Sequence, residues 1–406
     1  MIQLSLIMPT KDRANTLRDT LLEIAKCRRI DECELILCND GSSDETQAVL
    51  EQFKSSNPKL NIVIFNDGHK GVSAQRNRAA SIAKGQVLLF AADDIRPENT
   101  NWLSSHLDLH SHQIGRSFCV LGKMKWPSFN ELRVNTVMQV IQGKSGEQFG
   151  YADLNSNTYV DWRFFYTSNL SVKRNLVDDW LIQGFSQSFS DYGYEDIEFA
   201  YRLSLQNSLN LFYTSMANAF HFQEINVADF CQRQLAAGRM AATFTKLHPE
   251  LRGFITPETA FQGDNAHYIL HVLNLIEGLK SYLLILEGEN LLGTEAWHSD
   301  LLHLLFESQY LVGIAENTDF ENQGHLVFTF RRILEGGLAS FSRSISMRNL
   351  GINVELKQKR SRDGFILKLF GYRFYVPRRL FLLVMNNKYL RKIGLLVKNK
   401  LGGKLS

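Results

Sequence analysis

Cysteine is scarce and unpatterned in this chain. The five, Cys27, Cys33, Cys38, Cys119 and Cys231, are odd in number and form no CxxC pair, which argues against a disulfide framework and against a structural zinc site. They are expected to be reduced and mostly buried. No apolar run reaches the eighteen or so residues that a membrane span needs. The opening stretch, MIQLSLIMPTKDR, meets charge within a dozen residues, so a cytoplasmic protein without a signal peptide is expected. Phosphate-cradling glycine loops are missing too: there is neither GxxxxGK[ST] nor GxGxxG, and kinase-like and dinucleotide-binding readings lose their main support. No HExxH occurs. His106 and His110 stand at i, i+4, a spacing that zinc sites use, but with His112 they are expected to be exposed helix histidines. His267 and His271 are read in the same way.

What is present is a soluble globular composition, with 44% hydrophobic and 21% charged residues over 406 positions, long enough for two or three domains. Charge is segregated. Residues 357–406 hold fourteen Lys/Arg and one acid, a net +13, while the first 356 residues carry −10. A basic tail of this kind suggests an anionic surface as partner, with a fold-back onto the acidic remainder of the chain as the alternative. No nucleic-acid partner is expected.

In the first hundred residues, short apolar runs alternate with helical periodicity. Ile2 to Met8, Glu34 to Cys38, Asn61 to Phe65 and Val87 to Ala91 read as buried strands, with helices between them, the first capped by Asn15 or Thr16 and the third running from about Val72 to Ala83. The order β-α-β-α-β-α-β with short connections predicts a doubly wound parallel sheet. Ligands of such sheets bind beyond the carboxyl ends of the strands. Two acidic turns lie there, one with Asp40 and one with Asp93 and Asp94. An aspartate just past a strand can accept from a base or ribose donor, and paired aspartates can hold a divalent metal on phosphates. The plain alternatives are turn-forming acids at 93–94 and, at NDGSSDE, a capping box of Ser42 with Glu45 that leaves Asp40 free. Arg76 and Arg78 follow Gly71 near a helix start and suit phosphate, or are solvated arginines of an amphipathic helix.

Five segments in order, LIMPTKDR, ILCNDGSSDET, GVSAQRNRAASIAKGQVLLFAADDIRP, FFYTSNLSVKRNLV and GFSQSFSDYGYEDIEFAYRL, resemble the signature segments of family 2 glycosyltransferases of the GT-A fold, across residues 1 to about 225. The resemblance implies an α/β, doubly wound mixed sheet of nucleotide-diphospho-sugar transferase type. It implies that Thr10 and Asp40 contact the nucleotide base and Arg76 the nucleotide-sugar, and that Asp93 and Asp94 form the metal-binding acidic motif for Mn²⁺ or Mg²⁺. His221 matches a position that can complete the metal site, with a buried strand-end histidine as the alternative. Glu195 and Asp196 match the ED motif, which supplies the acceptor-binding acid and the catalytic base, here expected to be Asp196. Acids in a first helical turn are favoured by the helix dipole in any case. The family usually carries another acid where this chain has Ala92; Asp94 is the favoured direct ligand and Asp93 the alternative. FCQRQLAAGRMAATFTKLHPEL looks like the helix that follows the catalytic domain in many bacterial members, and without a following QxxRW a single-addition transferase is expected rather than a polymerase.

The implied partners are a nucleoside-diphosphate sugar, with UDP expected, and a glycan or lipid-linked acceptor in cell-surface polysaccharide biosynthesis. A catalytically inactive sugar-nucleotide-binding or scaffold protein is the alternative. A sugar nucleotidyltransferase would need a glycine-rich loop where Pro9-Thr10-Lys11-Asp12 stands. The expected organisation is a transferase domain over 1–255, a helical accessory domain over 256–356, and a basic amphipathic tail over 357–406 whose helices seek the inner membrane face. Residues 123–160 are expected to be an irregular polar loop over the site.

Overall fold

A strand buried on both faces of a sheet must be apolar at consecutive positions, not only at alternate ones. That rule selects β1 (Leu4–Thr10), β2 (Cys33–Asn39) and β4 (Val87–Ala91), in which nearly every residue is buried, while β3 (Asn61–Asn66) lies at the sheet edge. They alternate with α1 (Ala14–Ile24), α2 (Thr46–Ser56) and α3 (Val72–Ile82). All four strands pair in parallel, in the order β3-β2-β1-β4. The computed structural model describes residues 1–66, 68–113, 115–128, 132–142, 148, 150–151, 154–178, 184–206, 209–255, 266–293, 296–317, 364–369 and 372–377.

The sheet then becomes mixed. After β5 (Ile95–Pro97) and α4 (Trp102–Ser111), the chain forms β6 (Phe118–Lys125), α5 (Thr136–Gln142), β7 (Thr158–Val160), β8 (Asn169–Lys173), α6 (Arg174–Asp178), α7 (Glu195–Leu205), β9 (Asn210–His221) and α8 (Val227–Leu247). Strand β8 lies antiparallel between β4 and β6, and β9 joins β6 to β5, giving the order β3-β2-β1-β4-β8-β6-β9-β5 with β7 on β9. The expected doubly wound mixed sheet is therefore present. Residues 123–160 are not simply an irregular loop: they contain the end of β6, α5 and β7, and Trp126 is buried with its Nε1 donating to the Met138 carbonyl at 2.8 Å. Gly143 and Gly146 lie outside the described residues.

Asn169 ties three elements together. Its Oδ1 accepts from Trp102 Nε1 (3.0 Å) and from His106 Nε2 (3.1 Å), and its Nδ2 donates to the Ala217 carbonyl (2.8 Å). With its Nε2 proton so used, His106 Nδ1 accepts from Ser171 Oγ at 2.8 Å, and that oxygen in turn accepts from His110 Nε2 at 2.9 Å. His106 and His110 are thus buried, contrary to the exposed surface expected of them. A helical i, i+4 pair shares a face, but the spacing does not say whether that face meets solvent or sheet. Burial holds the two imidazoles neutral, lowering His106 to about 4 and His110 to about 3. The side chains of His267 and His271 lie outside the described residues.

The chain divides into two units, one of residues 1–258 with 309–320 and the other of residues 259–308 with 321–406. The second contains α9 (Ala266–Gly288) and the first part of α10 (Ala296–Glu316), so the region after the sheet is mainly helical. It also contains an antiparallel pair, β10 (Gly364–Leu369) with β11 (Tyr372–Pro377). Helices were expected from Phe365 onward, and Gly364–Leu369 and Tyr372–Pro377 are instead paired strands, in keeping with their aromatic and β-branched residues. The rest of the tail lies outside the described residues. Among the described residues no helix is long and apolar enough to cross a membrane. All five cysteines are buried, and none forms a disulfide.

Candidate active site

The carboxyl ends of β1, β2 and β4 place Thr10, Asp40 and the Asp93-Asp94 turn on one edge of the parallel sheet. Thr10 is buried at the end of β1, and its carbonyl accepts from the Asp40 amide at 2.9 Å. Asp40 is not free. Its carboxylate accepts from the Lys70 and Gly71 amides (2.7 and 3.1 Å), Gln75 Nε2 (2.9 Å) and His69 Nδ1 (2.7 Å), bonds that together hold it below the usual carboxylate range although burial opposes them. Asp40 thus ties down the loop that enters α3, with His69 itself 64% exposed.

The alternative reading of NDGSSDE, a capping box of Ser42 with Glu45, does not form. Ser42 Oγ accepts from the Asp12 amide at 2.9 Å, and Asp44 takes over helix entry: it accepts from the Thr46 amide at the start of α2 and the Ala14 amide at the start of α1. Helix α1 accordingly begins after Arg13, without a cap from Asn15 or Thr16. A local S-x-x-E pattern lost to a contact between residues thirty positions apart.

Antiparallel pairing of β5 with β9 sets His221 opposite Ile95, and the Phe222 amide donates to the Asp94 carbonyl at 2.7 Å. His221 Nε2 thereby lies 3.3 Å from Asp94 Oδ2. Arg13 Nη1 reaches the same oxygen at 2.7 Å, and its Nε lies 4.0 Å from Asp93 Oδ1. The two aspartates titrate apart. Burial, with the neighbouring Asp94 charge added, pushes Asp93 up to about 6. Burial acts on Asp94 as well, but His221, then Arg13 and Arg233, outweigh it and hold that carboxyl well below its ordinary value.

The donor set fits a hard divalent cation. Asp94 Oδ1 is buried without a hydrogen-bond partner, and two carboxylates with one imidazole suit Mn²⁺ or Mg²⁺. Among the described residues no cluster of three such groups is already assembled for a metal; one or two carboxylates with substrate phosphates is the usual way such ions are held at phosphate sites.

Tyr194 stands at φ +69° just before α7. Successive side chains on a helix diverge by about 100°, and Glu195 and Asp196 part accordingly. Glu195 Oε1 accepts from Arg76 Nη1 at 2.7 Å, while Glu195 Oε2 and Arg76 Nε are buried without partners. Arg76 is therefore no solvated arginine of an amphipathic face. Arg78 instead lays its guanidinium over the Phe65 ring, 4.1 Å from the centroid. Asp196 Oδ2 accepts from the Thr167 amide and hydroxyl, both at 3.1 Å. Burial, then the adjacent Glu195 charge, raises its carboxyl to about 6. Glu198 pairs with Arg202 at 2.8 Å, as their spacing predicts.

Residues 5–122 match the model of glycosyl transferase family 2. This segment belongs to glycosyltransferase family 2. The family 2 domain is similar to the validoxylamine A glucosyltransferase of Streptomyces hygroscopicus subsp. jinggangensis, 25% identical over 218 residues, which are 49% of this chain and 51% of that one. It is also similar to the UDP-Glc:alpha-D-GlcNAc-diphosphoundecaprenol beta-1,3-glucosyltransferase of Escherichia coli, 30% identical over 106 residues, 26% of this chain and 38% of that one. The chain thus spans about half the length of the first of these relatives and less of the second. A mannosyltransferase from Pyrobaculum calidifontis, solved with GDP-Man and Mn²⁺, aligns over 84% of each chain with a TM-score of 0.46 and 12% identity.

Arg13 and Arg233 are the residues that sequence reasoning missed. Arg13 lies inside a family segment, yet nothing local tells that its guanidinium meets an acid turn eighty residues on. Arg233 contributes from α8, where it bonds Gln223 and stands 5.5 Å from the centre of the Tyr192 ring.

Proposed function

We propose that the family 2 domain is a metal-dependent, inverting glycosyltransferase that moves a sugar from a nucleoside diphosphate, in this reading UDP, to a hydroxyl of a glycan or glycolipid in cell-surface polysaccharide biosynthesis. The observation that carries the reading is the meeting of Arg76 with Glu195 at 2.7 Å, which joins the phosphate-facing helix to the acid-bearing one. The names of the similar glucosyltransferases support the donor and acceptor classes.

Asp196 is the base. The acceptor oxygen attacks the anomeric carbon as the bond from that carbon to the diphosphate oxygen breaks, and the acceptor proton passes to the Asp196 carboxylate. A single in-line displacement inverts the centre, as with inverting hydrolases. Thr167 fixes one carboxylate oxygen, and a carboxyl raised to about 6 is a better proton acceptor near neutral pH than a surface aspartate. Glu195 holds a neighbouring acceptor hydroxyl, Thr10 and Asp40 line the base and ribose, and Arg76 faces the diphosphate. Mn²⁺ or Mg²⁺ held by Asp94, Asp93 and His221 would neutralise the diphosphate leaving group as a Lewis acid.

The tail, with net +13 over residues 357–406, would add peripheral attachment to an anionic membrane face, at roughly 1 kcal/mol per basic residue near the surface. Salt-sensitive sedimentation with anionic but not neutral vesicles is expected; equal binding to both removes this part. For the activity, nucleotide-sugars are screened for metal-dependent release of free nucleoside diphosphate, which should be strongest with a UDP-sugar and lowered by roughly 10² to 10⁴ in Asp196→Asn. Release from none, with UDP bound tightly, would instead leave a binding protein.

A further inference from the structure

Tyr194 is a bulky residue in the left-handed region, at φ +69°, a conformation that costs on the order of 1–3 kcal/mol and persists only where its surroundings hold it. It immediately precedes Glu195 and Asp196, so its backbone sets the direction in which both acids leave. What holds it comes from a residue 116 positions further along the chain. Tyr310 donates to the Ile255 carbonyl at 3.3 Å, and its hydroxyl oxygen stands 2.6 Å from the Tyr194 hydroxyl. Arg239 adds a second brace, with Nε on Glu316 at 2.7 Å and Nη1 on Asp191 at 3.4 Å.

The helices that carry these groups touch backbone to backbone. A Cβ on Gly238 of α8 would stand 1.9 Å from the Tyr310 carbonyl, and one on Gly313 of α10 would stand 2.0 Å from the Leu235 carbonyl. Glycine at both positions is what lets this end of α10 approach closely enough for a tyrosine to reach Tyr194. Residues 309–320 belong to the same compact unit as the sheet, although they lie well beyond the family match.

We infer that Tyr310, on the final turns of α10, is a positioning residue for Glu195 and Asp196: its hydroxyl keeps Tyr194 left-handed and so aims the two acids at the acceptor. The inference rests on the transferase reading for its consequence in turnover, but its structural half stands without it. Tyr310→Phe removes only the hydroxyl. With full-length protein it should lower kcat by between about tenfold and a hundredfold, the scale of a small misplacement at a reacting centre, raise the acceptor KM, and leave UDP-sugar affinity unchanged. It should also speed amide hydrogen exchange in the first turn of α7, where the Glu198 amide now donates to the Tyr194 carbonyl at 2.8 Å.

Tyr194→Gly supplies the cross-check, because glycine adopts the left-handed conformation without support. In that background Tyr310→Phe should cause no further loss. Unchanged exchange in Tyr310→Phe overturns the proposal, as does an equal fall in donor affinity and turnover. Faster exchange in a chain that transfers no sugar from any donor would support the bracing role while sinking the transferase reading, so the two failures are told apart.

Discussion

Arg76 Nη1 donates to Glu195 Oε1 across 2.7 Å, and the two side chains are only 11% and 10% exposed. They lie 119 positions apart in the chain, so one buried ion pair joins α3 to the start of α7. Removing one member of such a pair leaves a buried charge uncompensated. Arg76→Ala should therefore cost about 3–5 kcal/mol of stability as well as donor affinity. Glu195→Gln keeps an acceptor for the guanidinium and should cost less, showing instead as a raised acceptor KM. Thermal melts with donor titration calorimetry check both. An Arg76→Ala protein that melts like wild type would mean the pair does not form in solution.

Asp94→Asn keeps the shape of the acidic turn but removes the charge that Arg13 and His221 face. Turnover should fall on the order of a thousandfold, the scale of several kcal/mol of lost charge stabilisation. UDP titrated with and without Mn²⁺ should bind equally weakly to this variant. Asp93→Asn should retain part of the metal effect. If the two variants exchange behaviour, Asp93 is the direct ligand.

The acid limb of kcat/KM should lie near pH 6, where Asp196 gains its proton. Its folded value is raised above the unfolded one, so the carboxyl destabilises the fold as pH rises through that window. Asp196→Asn should consequently raise the melting temperature at pH 7 while lowering turnover by roughly 10² to 10⁴. A variant that loses activity and stability together would argue for a structural role.

The imidazoles of His106 and His110 have the opposite sign. Their folded values are depressed to about 4 and about 3, so the unfolded chain binds protons first as pH falls below about 6.5. Stability that is full above that value should decline toward pH 4. Urea midpoints across this range should show a shallower slope in His106→Asn than in wild type; identical slopes would place the acid sensitivity elsewhere.

The parallel half of the sheet was legible because strands covered on both faces must be continuously apolar, and Val87 to Ala91 leaves no other choice for its acidic turn. Three successive crossovers then place Asp40 and Asp94 on one edge by topology alone. The antiparallel half was not legible in the same way, since β8 inserts between β4 and β6 out of chain order and no local pattern encodes that. Arg13, Arg233 and Tyr310 were invisible for a related reason: each acts on a partner between eighty and more than a hundred positions away. At Ser42 a contact thirty positions away took the place of the local cap that its pattern allowed, and from Phe365 strand pairing took the place of the helices read from the amphipathic pattern.

Asn169 offers a last consequence. A sheet interior made only of leucine and valine would tolerate β8 slipping by two residues, because every side chain would still face the same way. Such a slip would strand the three polar partners of this one amide in a dry interior, at about 1–3 kcal/mol for each group left unpaired. Asn169 therefore acts as a keyed tooth: it adds less to the depth of the native well than to the distance separating it from its near copies, and it indexes β8, and with it the preceding Thr167 that bonds Asp196, to the acidic turn.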